Sequence, residues 1–78
     1  MDIFFTDRFK NRFNKLPKDI QDKFQGRLDL FLSNPRSASI KNHPLKGYLA
    51  GKRAFSVTGN YRAIYKILRE NAILLVDI

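Results

Sequence analysis

The chain of 78 residues has no cysteine and no tryptophan, and only one histidine, His43, and one glutamate, Glu70. Without cysteine there is no disulfide, no thiolate nucleophile and no sulfur-ligated zinc, a composition that suits a reducing cytoplasm. No apolar run approaches the roughly 18 residues of a membrane span. The N-terminus, Met1-Asp2-Ile3-Phe4-Phe5, lacks the basic region and small-residue cleavage site of a signal peptide. Domains usually run to roughly 100–200 residues, so a single domain over residues 1–78 is expected, cytoplasmic and away from membranes. A metal site wants three or four clustered ligands, a Ser-His-Asp set has one histidine to draw on, and no glycine-rich phosphate loop follows a strand. Neither metal nor cofactor is expected.

Acid is also scarce. Fifteen Lys and Arg stand against seven Asp and Glu, a formal net charge of +8. Residues 1–39 hold eight bases and five acids (+3), and residues 40–78 hold seven and two (+5). Between Ile40 and Arg69 lie Lys41, Lys46, Lys52, Arg53, Arg62, Lys66 and Arg69, and no acid. Solvated surfaces usually intersperse both signs, so this stretch predicts a field that attracts polyanions, nucleic acid foremost. The alternatives are a basic surface for solubility or for one acidic protein partner.

What is present divides at Leu16-Pro17. Before it, Phe5, Phe9, Phe13 and Leu16 recur at helical spacing, with Thr6 and Asp7 placed as N-cap and first-turn acid after a short strand at Met1–Phe5. Pro17 fits the first position of a second helix carrying Ile20, Phe24, Leu28 and Phe31 on one stripe and stopping near Asn34-Pro35. The stripes predict an antiparallel helical hairpin packed on a core rather than a ligand groove.

From Leu45 onward the period changes to 2. Strands are predicted at Arg53–Val57, Tyr61–Arg69 and Ala72–Ile78, with a shorter one near Leu45–Leu49. Ala50-Gly51, Gly59-Asn60 and Glu70-Asn71 mark the turns of an antiparallel meander. Taking Thr58-Gly59-Asn60 as a three-residue loop pairs Val57 with Tyr61. Phe55, Val57, Tyr61, Ala63, Tyr65 and Ile67 then share one face, and Ala54, Ser56, Arg62, Ile64 and Lys66 the other. With Glu70-Asn71 as a tight turn, Leu74, Val76 and Ile78 join the apolar face, while Ile73, Leu75 and Asp77 join that of Arg62. The fold class is therefore α+β: a short N-terminal strand and a two-helix hairpin on one face of an antiparallel sheet of about four strands. The other face is an open basic floor, with Asp77 as counter-ion of Arg62 or Lys66 and with Lys41, Lys46, Lys52 and Arg53 around its rim.

One constellation carries chemistry: His43, Lys46, Arg62 and Lys66, with Tyr61 and Tyr65 on the same strand. Metal-free RNA cleavage needs a base for the 2′-hydroxyl, cations on the pentavalent phosphate and an acid for the leaving oxygen. His43 fits the base and Arg62 the phosphate, while the acid has no candidate. The bland alternatives are a loop histidine packing before Pro44 and a strand-surface salt bridge from Arg62 to Asp77.

The stretches "LPKDIQDKFQGRLDLFLSNP", "NHPLKGYLAGKRAFSV" and "GNYRAIYKI", in this order of elements, resemble the RelE/ParE superfamily of bacterial type II toxins. The branch they most resemble is the YafQ and YoeB type of ribosome-dependent mRNA interferase. That resemblance implies a toxin that cuts translated mRNA on the ribosome and is silenced by a cognate antitoxin. It puts His43 at the acid/base position, Arg62 at the scissile phosphate, and Lys41, Lys46, Lys52 and Arg53 on ribosomal and messenger RNA; Lys66, on the basic floor by strand parity, is expected to bind RNA beside them. A sister branch poisons DNA gyrase. Ser56 and Asn60 depart from residues common in the family. Members also commonly continue past Val76-Asp77-Ile78 with Gly-x-His-x-x-Tyr, to which the general acid and a base-stacking aromatic belong. The expectation is thus a weakened or disabled form, with a non-catalytic antitoxin-binding remnant as a further alternative.

Overall fold

The computed structural model describes all residues, Met1–Ile78. The chain runs β1 (Asp2–Phe5), α1 (Asp7–Asn14), α2 (Lys18–Ser33), β2 (His43–Pro44), β3 (Arg53–Ser56), β4 (Arg62–Arg69) and β5 (Ala72–Asp77), with 3-10 turns at Ala38–Ile40 and Gly47–Leu49. One sheet holds all five strands in the order β1-β5-β4-β3-β2. The α+β arrangement of a helical hairpin on one sheet face is as expected. The expected antiparallel pairing covers β2 to β5, while β1 joins β5 in parallel and makes the sheet mixed. A four-residue strand carries no mark of its direction relative to a partner seventy residues away. No helix is long and apolar enough to cross a membrane.

Thr6 begins α1 as its side chain predicts. Its Oγ1 accepts from the Phe9 N–H at 3.0 Å and donates to the Val76 carbonyl at 3.1 Å, while its own N–H donates to the Leu75 carbonyl at 3.0 Å. One residue therefore caps the helix and fastens it to β5. Pro17 lies one position outside α2, as its N-cap rather than its first residue, its carbonyl accepting from Ile20 and Gln21. Gln21 Nε2 holds the corner between the helices through the carbonyls of Phe13 and Leu16.

The helices bring Phe9, Phe24, Leu28 and Phe31 onto Phe55, Val57, Ala63, Tyr65, Ile73 and Leu75 of the sheet. Phe31 lies 5.0 Å, ring centre to ring centre, from both Phe55 and Tyr65, within the range where aromatic pairs attract beyond their burial. The β3–β4 hairpin has the register that parity requires. Phe55 faces Ala63, Ser56 faces Arg62, and the N–H groups of Val57 and Thr58 both donate to the Tyr61 carbonyl across the three-residue loop.

Three expectations are corrected. The turn at Glu70-Asn71 is tight, with Arg69 opposite Ala72, but Leu68 then bulges out of the ladder. Ile67 consequently faces Ile73 and Tyr65 faces Leu75, so Ile73 and Leu75 are buried, while Leu74 faces Lys66 on the other side. A bulge inserts one residue and inverts parity, and both residue sets of β5 are equally apolar, so alternation alone does not choose between them. A second bulge, at Val76, sets Asp77 opposite Ile64. Asp77 is not the partner of Arg62 or Lys66: it pairs with Arg8 Nε at 3.2 Å and Arg12 Nε at 2.8 Å, because Thr6 pins α1 over the end of β5. The short strand near Leu45–Leu49 is also displaced. His43 and Pro44 make that pairing, and the chain then enters the Gly47–Leu49 turn. Gly47 (φ 68°) and Gly51 (φ 90°) occupy left-handed backbone that bars an extended strand there.

Thr6→Ala is expected to lower unfolding free energy by about 1 kcal/mol, and Phe55→Ala by about 3–5 kcal/mol, each read from urea melts followed by circular dichroism.

Candidate nucleic-acid site on the uncovered sheet face

Strand alternation sends Ala63 and Tyr65 of β4 into the core and Arg62, Ile64 and Lys66 to the opposite face. On that face Ser56 stands opposite Arg62, Ala54 opposite Ile64, and His43 opposite Ala54. The pairing draws together residues separated in sequence, and Lys41, His43, Ser56, Thr58, Gly59 and Arg62 line one cleft of about 200 Å³. The lining holds two basic side chains and an imidazole and no carboxylate.

His43 is aimed by the backbone before it. The Ala38–Ile40 turn, anchored by fully buried Ile40, ends at Lys41 in left-handed conformation (φ 50°). The Lys41 carbonyl oxygen then lies 2.7 Å from His43 Nδ1. A carbonyl has no hydrogen to give, so Nδ1 carries it, and in the neutral ring Nε2 keeps a free lone pair. His43 thus precedes Pro44 on a short strand and lines the cleft as well.

Arg62 is exposed, and no carboxylate pairs with it. Lys41, Lys46, Lys52, Arg53 and Lys66 likewise have no carboxylate partner, so none of these charges is neutralised within the fold. Lys52 borders a second cleft, of about 340 Å³, with Arg8, Tyr48, Leu49, Ile64, Val76 and Asp77. Lys66 lies farther along β4 from Arg62, and exposed Lys46 opens the Gly47–Leu49 turn. Arg53 is set apart. It stands opposite Tyr65 on the helix side, its Nε donates to Asn42 Oδ1 at 3.1 Å, and it lines a groove with Phe31, Arg36 and Arg69. Its parity with Phe55 already dictates that side.

Ser56, which departs from the residues common in the family, does line the cleft, but its hydroxyl donates to the Thr58 carbonyl at 3.1 Å. Thr58 and Gly59 carry no mark of the cleft in their own residue types, and it is the three-residue loop that places them beside Ser56 and Arg62. Tyr48, which no periodicity singles out, is 94% exposed. No three of the His, Asp and Glu side chains converge as a metal-binding group.

The family model described as ParE toxin of type II toxin-antitoxin system, parDE, matches residues 3–78. No curated protein matches the sequence. Among solved structures, a YoeB/ParE toxin from Agrobacterium tumefaciens superposes with a TM-score of 0.80 at 17% identity, covering 99% of this chain and 94% of that one. YafQ from E. coli strain BL21(DE3) gives 0.80 at 24% identity, with 97% and 88% covered. The E. coli DinJ-YafQ toxin-antitoxin complex gives 0.76 at 22% identity, with 97% and 87% covered. At these identities the likeness establishes a shared fold.

Long-range nitrogen–proton correlation spectra of the neutral imidazole are expected to place the His43 hydrogen on Nδ1. A hydrogen on Nε2 would contradict the orientation imposed by the Lys41 carbonyl.

Proposed function

The chain belongs to the ParE toxin family of type II toxin–antitoxin systems, and from that premise we propose that it binds single-stranded RNA on its uncovered sheet face and cuts translated mRNA on the ribosome. One observation carries this: His43, Arg62 and Lys41 converge in an acid-free cleft, with the imidazole turned so that Nε2 is free. The YafQ and YoeB/ParE folds among its structural neighbours support the same direction.

In the proposed reaction, Nε2 of His43 takes the proton of the ribose 2′-hydroxyl and the 2′-oxygen attacks the adjacent phosphorus. The bond to the 5′-oxygen breaks, leaving a 2′,3′-cyclic phosphate and a free 5′-hydroxyl. Arg62 and Lys41 hold the non-bridging oxygens, where negative charge grows on the way to the pentavalent state. No second imidazole and no carboxyl lines the cleft, so the departing oxygen takes its proton from water or from the Lys41 ammonium. Reaction is accordingly slow relative to an enzyme with a dedicated acid. Lys46, Lys52 and Lys66 add attraction for the phosphate backbone, which each neutralised phosphate makes more sensitive to salt. Arg53, on the helix side, has no part in this reading.

A cognate antitoxin is the second proposed partner, as the DinJ-YafQ toxin-antitoxin complex is for the neighbouring fold. The proposed setting is the cytoplasm, where translating ribosomes are.

The test is translation of a defined mRNA by purified ribosomes, with cut sites mapped by primer extension. The chain is expected to cut, and Arg62→Ala and His43→Ala are each expected to lower the rate at least about 100-fold. Arg62 is exposed, so its variant keeps the native circular dichroism spectrum. No cuts by the unaltered chain, together with trapped gyrase–DNA cleavage complexes, would replace this reading with gyrase poisoning, the activity of the sister branch.

A further inference from the structure

Tyr48 is 94% exposed, more than any other large apolar or aromatic side chain of the molecule. Its position is built rather than frayed. Gly47 and Gly51, both left-handed, bracket it, the Ala50 N–H closes the turn onto the Gly47 carbonyl at 3.0 Å, and the next residue, Leu49, is partly buried. Holding an aromatic ring in water forgoes the burial that normally justifies it.

The surroundings of the ring have a particular chemistry. Tyr48 borders the second cleft, whose apolar wall is Leu49, Ile64 and Val76 and whose charges are Arg8, Lys52 and Asp77. The Asp77 carboxylate is already held by Arg8 and Arg12, whereas Lys52 has no carboxylate partner. Ile64 is two residues along β4 from Arg62, on the same face, a separation of about 6.6 Å along the strand. The tyrosine cleft therefore adjoins the His43–Arg62 cleft on one sheet face.

We propose that Tyr48 is a stacking platform for one base of the single-stranded RNA, next to the phosphate held by Arg62, with Lys52 on the neighbouring phosphate. The proposal rests on the RNA reading above and adds to it a site of positional selection. Flat faces are common to all bases, so a tyrosine platform fixes where a nucleotide sits with little preference for which base it is. An aromatic face beside the unpaired Lys52 ammonium is matched by an anionic chain carrying aromatic rings, and single-stranded RNA has both.

The test uses a fluorescein-labelled 2′-O-methyl RNA hexamer, which has no 2′-hydroxyl to react, titrated by anisotropy at low salt with the full chain. Tyr48→Ala is expected to weaken binding about tenfold, and Tyr48→Phe to leave it unchanged. In a series carrying one abasic site moved along the hexamer, a single position should weaken binding to the unaltered chain and make no difference to Tyr48→Ala. Binding by the unaltered chain that Tyr48→Ala leaves intact, or that no abasic position disturbs, overturns the platform while leaving RNA binding standing. No binding by the unaltered chain overturns both.

Discussion

A sheet covered by helices on one side only must send alternate side chains to two different environments, and β4 is where this constraint is tightest. Ala63 and Tyr65 go under the helices, and Arg62, Ile64 and Lys66 go the other way. β4 pairs with β3 on one side and β5 on the other, so its parity passes to both neighbours. Through β3 and β2 it sets Ser56 and His43 on the face of Arg62. Through β5 it reaches Thr6, which ties the first helix to the Leu75 and Val76 carbonyls and so positions the hairpin that covers the other side. Core and cleft are two consequences of one alternation.

The electrostatics follow from where the acids fall. Five of the seven lie in the first half, on β1 and the two helices, and Glu70 is in a turn. Asp77 is the acid that reaches the uncovered face, and two arginines of α1 occupy it. The cleft cations are thus left with water as their only counterpart within the fold. An exposed cation costs little in the unbound protein, and its attraction for a polyanion is kept in full. No buried side-chain polar atom lacks a hydrogen bond, so the molecule holds its charge on the surface and keeps its interior satisfied.

Asn42 separates the two faces. Its Oδ1 accepts from the Tyr65 hydroxyl at 2.9 Å and from Arg53 Nε at 3.1 Å, holding both side chains on the helix side. The neighbouring His43 goes to the opposite side, where the Lys41 carbonyl orients its ring. Asn42, just before β2, and His43, its first residue, thus serve the core and the cleft, and a one-residue slip would exchange them.

Local sequence by itself determined both helices, the Thr6 cap, the three-residue loop at Thr58–Asn60 and the placement of Arg62, Ile64 and Lys66 on one face. Each depends on periodicity or on hydrogen bonds between near neighbours, which are written in consecutive residues. Tertiary structure alone decided the direction of β1, the bulge at Leu68 that buries Ile73 and Leu75, and the engagement of Asp77 by Arg8 and Arg12. Those outcomes turn on distant pairings among nearly equivalent choices: two apolar sets on β5, and several basic partners for one carboxylate. The site divides in the same way. His43 and Arg62 were legible as residue types suited to phosphodiester chemistry, but their convergence with Lys41 required β2, β3 and β4 to stand side by side. Tyr48 left no mark in the pattern, because a lone aromatic in a glycine-flanked turn looks the same in sequence whether it is buried or turned to water.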